Sequence, residues 1–178
     1  IAVIWSGQAV SMFTSYAASF AAIWYVTEST GSALALSFLS ICAYLPQGLL
    51  SPFGGVLADR LNRKYLIILA DSICGLASFA LGLIILFGQV SFAAIVVMVI
   101  IRSAAQAFHY PALMALMPML VPEKHLLRIN TLDQLLLSVS GMAAPVLGIF
   151  FYTVVGFHSV MLLDFAGALI ACAGMLLA

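Results

Sequence analysis

Ten consecutive residues, Gly55-Val-Leu-Ala-Asp-Arg-Leu-Asn-Arg-Lys64, carry four charges in a chain of 178 residues that is 65% hydrophobic and only 7% charged. A cluster that dense belongs in water, and the long apolar runs on either side of it do not. The ten residues therefore read as a tight hydrophilic turn between two membrane segments. Mean hydropathy is +1.23, whereas soluble domains are about 25% charged. So few polar residues cannot cover a water-facing surface, and the bilayer is the solvent that fits.

A hydrocarbon core about 30 Å thick takes about 20 apolar residues per helix. Cutting the chain at charged or Gly/Pro-rich breaks predicts six spans, near 1–26, 33–57, 65–88, 91–119, 129–155 and 158–178. The expected fold class is all-α integral membrane protein. A membrane barrel would need strands of roughly ten residues with alternating polarity, and the sequence has none. The first span lacks the basic start and cleavage site of a secretory signal. With no initial Met and an apolar end, the sequence reads as an excerpt of a longer protein. Cys42, Cys74 and Cys172 all fall in apolar spans without metal-ligand spacing and read as packing residues. Net charge is zero, and no basic run points to nucleic acid. No nucleophile–base constellation, phosphate loop or metal spacing suggests an enzyme.

The basic residues set the expected orientation. Arg60, Arg63 and Lys64 lie between spans 2 and 3, and Lys124 and Arg128 between spans 4 and 5. The other three connections hold none, and the sixth basic residue, Arg102, is inside span 4. Lys and Arg concentrate in cytoplasmic loops, so both ends of the segment are expected inside the cell, in a multi-pass plasma-membrane protein.

Polar stripes distinguish the spans. Gln8, Ser11, Ser15 and Ser19 recur at helical spacing in span 1. Span 2 carries Ser37, Ser40, Tyr44, Gln47 and Ser51; span 4 carries Arg102, Gln106 and His109; span 5 carries Asn130, Gln134, Ser138, Gly141, Pro145 and Gly148. Spans 3 and 6 hold one carboxylate each, Asp71 and Asp164, in an apolar background. Spans 1, 2, 4 and 5 are thus expected to enclose a polar cavity, with 3 and 6 more peripheral. Close packing through small residues is the plainer explanation of the serines, but Arg102 on the inward set favours a water-filled space. Arg102 lies about 16 Å into its span, and a central arginine costs on the order of 3 kcal/mol on insertion scales. Asp71 and Asp164 are both in reach as partners. Whichever acid is left over must be protonated, hydrated or matched from elsewhere. Histidine is the side chain whose charge changes near neutral pH, and His109 shares the Arg102 face. These four are the candidate proton-coupling residues. Phe13, Phe20 and Met114 are candidate apolar lining.

Gly55-x-Leu57-Ala58-Asp59-Arg60-x-x-Arg63-Lys64 resembles the loop 2–3 motif of the major facilitator superfamily, with Asn62 where Gly is usual. Arg102 with Gln106 is similar to the superfamily's span 4 motif, and Gly141-Met-Ala-Ala-Pro145-Val-Leu-Gly148 resembles its exporter motif, with Ala144 in place of a Gly. A likeness to the macrolide-efflux branch covers nearly the whole chain. It is carried by Ile4-Trp5-Ser6-Gly7-Gln8-Ala9-Val10-Ser11, Thr30-Gly31-Ser32-Ala33, Arg102-Ser103, Ala107-Phe108-His109-x-Pro111-Ala112-Leu113 and Leu120-Val121-Pro122-Glu123.

The resemblance implies the amino-terminal six-helix half of a twelve-helix carrier, built from two inverted three-helix repeats. A carboxy-terminal half would close the cavity. It implies proton-coupled efflux of amphiphilic small molecules such as macrolides by alternating access, with no cofactor beyond the coupling proton. Siderophore or other metabolite export is the alternative, and a non-transporting membrane scaffold a remote one. Gly55, Asp59, Arg60, Arg63 and Lys64 would form the conformational gate, Gly55 permitting close helix approach and the basic residues meeting lipid headgroups. Gly141, Pro145 and Gly148 would form a smooth kinked face against the other half. Gln8, Ser11, Ser15, Tyr44, Gln47 and Gln106 would line the substrate cavity.

Overall fold

Two residues suffice to turn the chain at the charged cluster. Asp59 and Arg60 still belong to helix α2 (Ala33–Arg60), Leu61 and Asn62 are extended, and α3 (Arg63–Phe87) starts at once. The Asn62 side chain caps α3 by accepting from the Lys64 N–H at 3.0 Å. The hydrophilic turn is thus shorter than the charge cluster, because a capping side chain satisfies the helix start and the charged side chains reach water from helix ends.

The remaining elements are α1 (Ala2–Thr30), α4 (Phe92–Leu120), α5 (Glu123–Val155) and α6 (Phe157–Leu177). The computed structural model describes residues 2–88 and 90–177, so residues 1 and 178 of the outermost predicted spans, and residue 89 in the connection before α4, lie outside it. Each described connection has a local cause. Gly31 takes a left-handed φ of 57°, and Ser32 accepts from the Ala35 N–H to start α2. Ser91 caps α4 through the Ala94 N–H. Gly156, at φ 104°, lets α5 stop and α6 begin one residue later. α5 starts six residues before the predicted span, immediately after Pro122, so Lys124 and Arg128 sit on its first turns rather than in a loop.

The packing has an internal two-fold pattern. α2 packs on α4 as α5 packs on α1; α1 packs on α6 as α4 packs on α3; α3 and α6 meet each other. Exchanging the first three helices with the last three leaves these neighbours unchanged. Successive spans alternate in direction, so the two triplets are inverted repeats. α3 and α6 form the back of the bundle, while α2 and α5 bury the least of themselves.

Between helices in lipid, close packing of small side chains replaces the hydrophobic drive of soluble cores. Ala17, Ala18, Ala21 and Ala22 of α1 make the buried floor of one cluster with Val160 and Met161. Ile4, Ala58, Ile67, Ala112 and Met175 make another. At two of the tightest crossings it is a neighbouring backbone that leaves room only for glycine. A Cβ on Gly148 would lie 2.9 Å from the Ala17 carbonyl oxygen, and one on Gly54 would meet the Ala107 backbone with 3.0 Å to its carbonyl carbon.

Within these six helices the close contacts fall on particular glycines in or beside the two motifs. The residue that brings α2 against α4 is Gly54, whereas Gly55 has nothing within 4 Å of where a Cβ would be. One position along a helix rotates about 100°, enough to turn Gly55 off the contact. Gly141, Pro145 and Gly148 share one side of α5, and α1 covers that side at Gly148 but not at Gly141. Gly141 is open and exposed, Pro145 half-buried and Gly148 buried against Ala17 of α1. Gly54→Ala is therefore expected to cost the full-length protein about 1–3 kcal/mol of stability, while Gly55→Ala leaves it unchanged. Thermal unfolding in detergent checks the pair, and equal effects would contradict the assignment.

Candidate functional site

A cavity of about 470 Å³ is walled by α1, α2, α4 and α5, with Asp71 reaching in from α3. Its lining is mostly apolar, which suits an amphiphilic ligand. Gln8, Ser11, Ser15, Tyr44, Gln47 and Gln106 all lie on its wall. Tyr44 is 73% exposed although it lines the cavity, so the space is open on the α2 side. Met114 also lines it, but Phe13 instead packs against the α1 core cluster, and Phe20 is not on the wall.

The polar side chains on and behind this wall are arranged in layers with a spacing of seven residues, two helical turns. Seven residues separate Gln8 from Ser15 on α1, Asp71 from Ser78 on α3, and Arg102 from His109 on α4. Residues seven apart project from the same face about 10 Å apart. α3 and α4 run antiparallel, so Ser78 meets Arg102 and Asp71 meets His109.

In the first layer Arg102 forms an ion pair with Asp164 of α6, both nearly inaccessible. Arg102 Nη1 also donates to Ser78. Ser78 Oγ donates to Asp164 Oδ2 at 2.6 Å, and Ser15 Oγ donates to Asp164 Oδ1 at 2.8 Å. The carboxylate therefore has donors on both oxygens from three different helices. A buried pair satisfied in this way holds its geometry. Sequence alone left Asp71 and Asp164 open as partners of Arg102; the structure pairs it with Asp164, which is off the cavity wall.

In the second layer Gln8 Nε2 donates to Asp71 Oδ2 at 2.9 Å. His109 Nε2 lies 3.2 Å from Asp71 Oδ1 and 3.1 Å from Gln8 Oε1. Both neighbours are acceptors, so the network assigns the hydrogen to Nε2. Asp71, Gln8 and His109 all touch the cavity. The left-over acid is thus matched within the chain, by an amide and an imidazole.

A third layer was missed in the sequence. Trp5, one turn before Gln8, donates from Nε1 to Asp133 Oδ1 of α5 at 2.6 Å. Asp133 Oδ2 is enclosed and has no hydrogen-bond partner among the described residues. The signal was available, since Asp133 is a carboxylate inside the predicted span 129–155. Ser78 was legible too, as the i+7 neighbour of Asp71. Ser103, whose hydroxyl accepts the Gln47 N–H at 3.1 Å just past the ladder break at Pro46, was visible only as part of a motif.

The charged residues expected at the gate gather at one end of the bundle. Asp59 is exposed and 4.0 Å from Arg63, an (i, i+4) pair. Arg63 Nε donates to the Ala58 carbonyl at 3.1 Å, Lys64 Nζ lies 3.5 Å from the Leu176 carbonyl of α6, and Arg60 is exposed. Among the described residues no group of three His, Cys, Asp or Glu side chains has the arrangement of a metal site.

A six-helix membrane bundle of inverted triplets, with a lined cavity and a buried cation–carboxylate pair, is the architecture of one half of a carrier. Residues 4–178 match the Major Facilitator Superfamily, and the chain belongs to that family. Over 168 residues, 94% of this chain, it is 39% identical to macrolide efflux protein A of Streptococcus pyogenes. It is 36% identical over 141 residues, 79% of the chain, to macrolide efflux protein A of Enterococcus faecalis. It is 33% identical over 95 residues, 53% of the chain, to the enterobactin exporter of Citrobacter koseri. The chain covers 42%, 43% and 23% of these three relatives, so it spans less than half the length of the curated relatives it matches. The family is one of membrane carriers, not of enzymes.

The layers predict different costs for two similar substitutions. Asp164→Asn strands a buried guanidinium and is expected to destabilise the full-length protein by about 3–5 kcal/mol. Asp71→Asn keeps an acceptor for one neighbouring donor and sets an N–H against the other, and is expected to cost less, about 1–3 kcal/mol. Thermal unfolding of the two variants in detergent checks the order.

Proposed function

We propose that the complete protein exports amphiphilic small molecules, macrolides foremost, in exchange for protons by alternating access. The likeness to macrolide efflux proteins over nearly the whole chain carries the substrate class. The largely apolar cavity with scattered hydrogen-bonding groups supports it, since a macrolide is large, amphiphilic and cationic.

Proton coupling is assigned to Asp71 with His109. Asp164 is saturated by Arg102, Ser15 and Ser78 and lies away from the cavity, whereas Asp71 and His109 stand on its wall. A proton arriving from the cavity meets the Asp71–His109 pair on its wall. Protonating Asp71 weakens its hold on His109 and biases the rocking of the two halves. Arg102–Asp164 then acts as the fixed strut against which α1, α3, α4 and α6 keep their register. A carboxy-terminal half supplies the opposite wall; the relatives' greater length and the sparsely buried α2 and α5 support this. Asp59 and Arg60 meet that half at the gate. Five of the six basic residues gather at one end of the bundle, which supports a cytoplasmic location for that end and both termini of the segment.

Export of a siderophore-like metabolite is the second reading, favoured by the likeness to an enterobactin exporter over about half of the chain. Accumulation of labelled erythromycin in cells expressing the full-length protein separates the two. Macrolide export predicts lower accumulation than in control cells, reversed by a protonophore and by Asp71→Asn. Unchanged accumulation, with the protein present in the membrane, would reject macrolides and bring metabolites forward.

A further inference from the structure

The carboxylates near the cavity differ in how their charge is met. Asp164 has Arg102 and Asp71 has His109. Asp133 has only the neutral indole N–H of Trp5, and no basic side chain lies within ion-pair distance of it among the described residues. Its second oxygen has no hydrogen-bond partner. A half-buried carboxylate with one neutral donor is under-satisfied. Both Asp133 and Trp5 border the cavity, with Gln134 beside them.

We propose that Asp133 and Trp5 form the subsite that holds the ammonium group of a cationic amphiphile. The carboxylate supplies the counter-charge that no side chain of this bundle supplies. The indole face next to it adds a cation–π surface, and its N–H fixes one oxygen and so aims the carboxyl group. Asp133 already lines the cavity, and the bond from Trp5 leaves its second oxygen without a partner. Trp5 stands one turn before Gln8 on α1, so a cation seated here lies next to the Asp71–His109 layer. Its charge then opposes proton retention there, as exchange requires. The remaining apolar wall takes the body of the ligand.

This inference rests on the export reading for its choice of ligand, and the test separates the two. Binding to purified full-length protein is measured for erythromycin, which carries a protonated dimethylamino group at pH 7, and for its N-oxide, which is essentially uncharged there. Asp133→Asn is expected to weaken erythromycin binding by about tenfold or more, the scale of one charge-assisted contact. It should leave N-oxide binding within about twofold, and Asp133→Glu should recover part of the loss. Equal losses for both ligands, or no loss for either, would overturn the subsite. Should Asp133→Asn not fold, Trp5→Phe serves in its place: it keeps the acid but frees its orientation, and a loss confined to the cation supports the proposal while an equal loss contradicts it. If wild-type protein binds neither macrolide, the macrolide reading fails on its own. Tetraphenylphosphonium then serves as the cation, and its binding must fall with Asp133→Asn for the subsite to stand.

Discussion

A guanidinium shut away from water inside a helix bundle has to be met by a carboxylate and by hydrogen bonds, and the rest of this fold is arranged around that requirement. Arg102 finds Asp164 on α6, but the pair holds only because Ser15 and Ser78 occupy the remaining positions on the carboxylate. Four helices are therefore fixed in mutual register by one polar node. In water such a node adds little net stability. Without water, removing any member leaves a group with nothing to bond to, so the node specifies the arrangement of helices even where it contributes modestly to its free energy.

The second layer follows from the first by helix geometry. Residues two turns away from Ser15, Ser78 and Arg102 are Gln8, Asp71 and His109, and they meet because their helices have already been brought together. α6 does not repeat its carboxylate in this layer: seven residues after Asp164 it offers Ala171, against which Gly7 of α1 packs closely. The charge balance consequently differs between layers. One has a permanent cation facing an acid away from the cavity; the other has an acid and an imidazole on the cavity wall. The same spacing thus yields one layer closed by an ion pair and one that meets the cavity, and the proposed transport cycle uses this difference.

Much of this was legible in the sequence. Six spans followed from apolar runs, and the inward set on spans 1 and 4 followed from Gln8, Ser15, Arg102 and His109 at helical spacing. What was not legible was position below one helical turn. Gly54 and Gly55 are adjacent and equally small, and only the packing of α2 on α4 distinguishes the one pressed on the Ala107 backbone. Gly148 belongs to a motif suggesting an outward face, and only the packing shows that α1 covers that side of α5 at Gly148 but not at Gly141. The choice of Asp164 over Asp71 depended on which helix stands behind Arg102, a tertiary fact that periodicity does not contain. Asp133 is a different case: its position inside a span was plain, but a charge ten residues from a helix start acquires meaning only once Trp5 is beside it.

In the proposed cycle the Asp71–His109 layer, and not the Arg102–Asp164 pair, exchanges the proton when ligand binds. Proton release on adding erythromycin to purified full-length protein, followed with a pH dye in weakly buffered detergent solution, tests it most directly. Linkage between the two binding events gives release of about one proton per ligand from the wild type and none from Asp71→Asn. Release from Asp71→Asn equal to that of the wild type would contradict the proposed cycle.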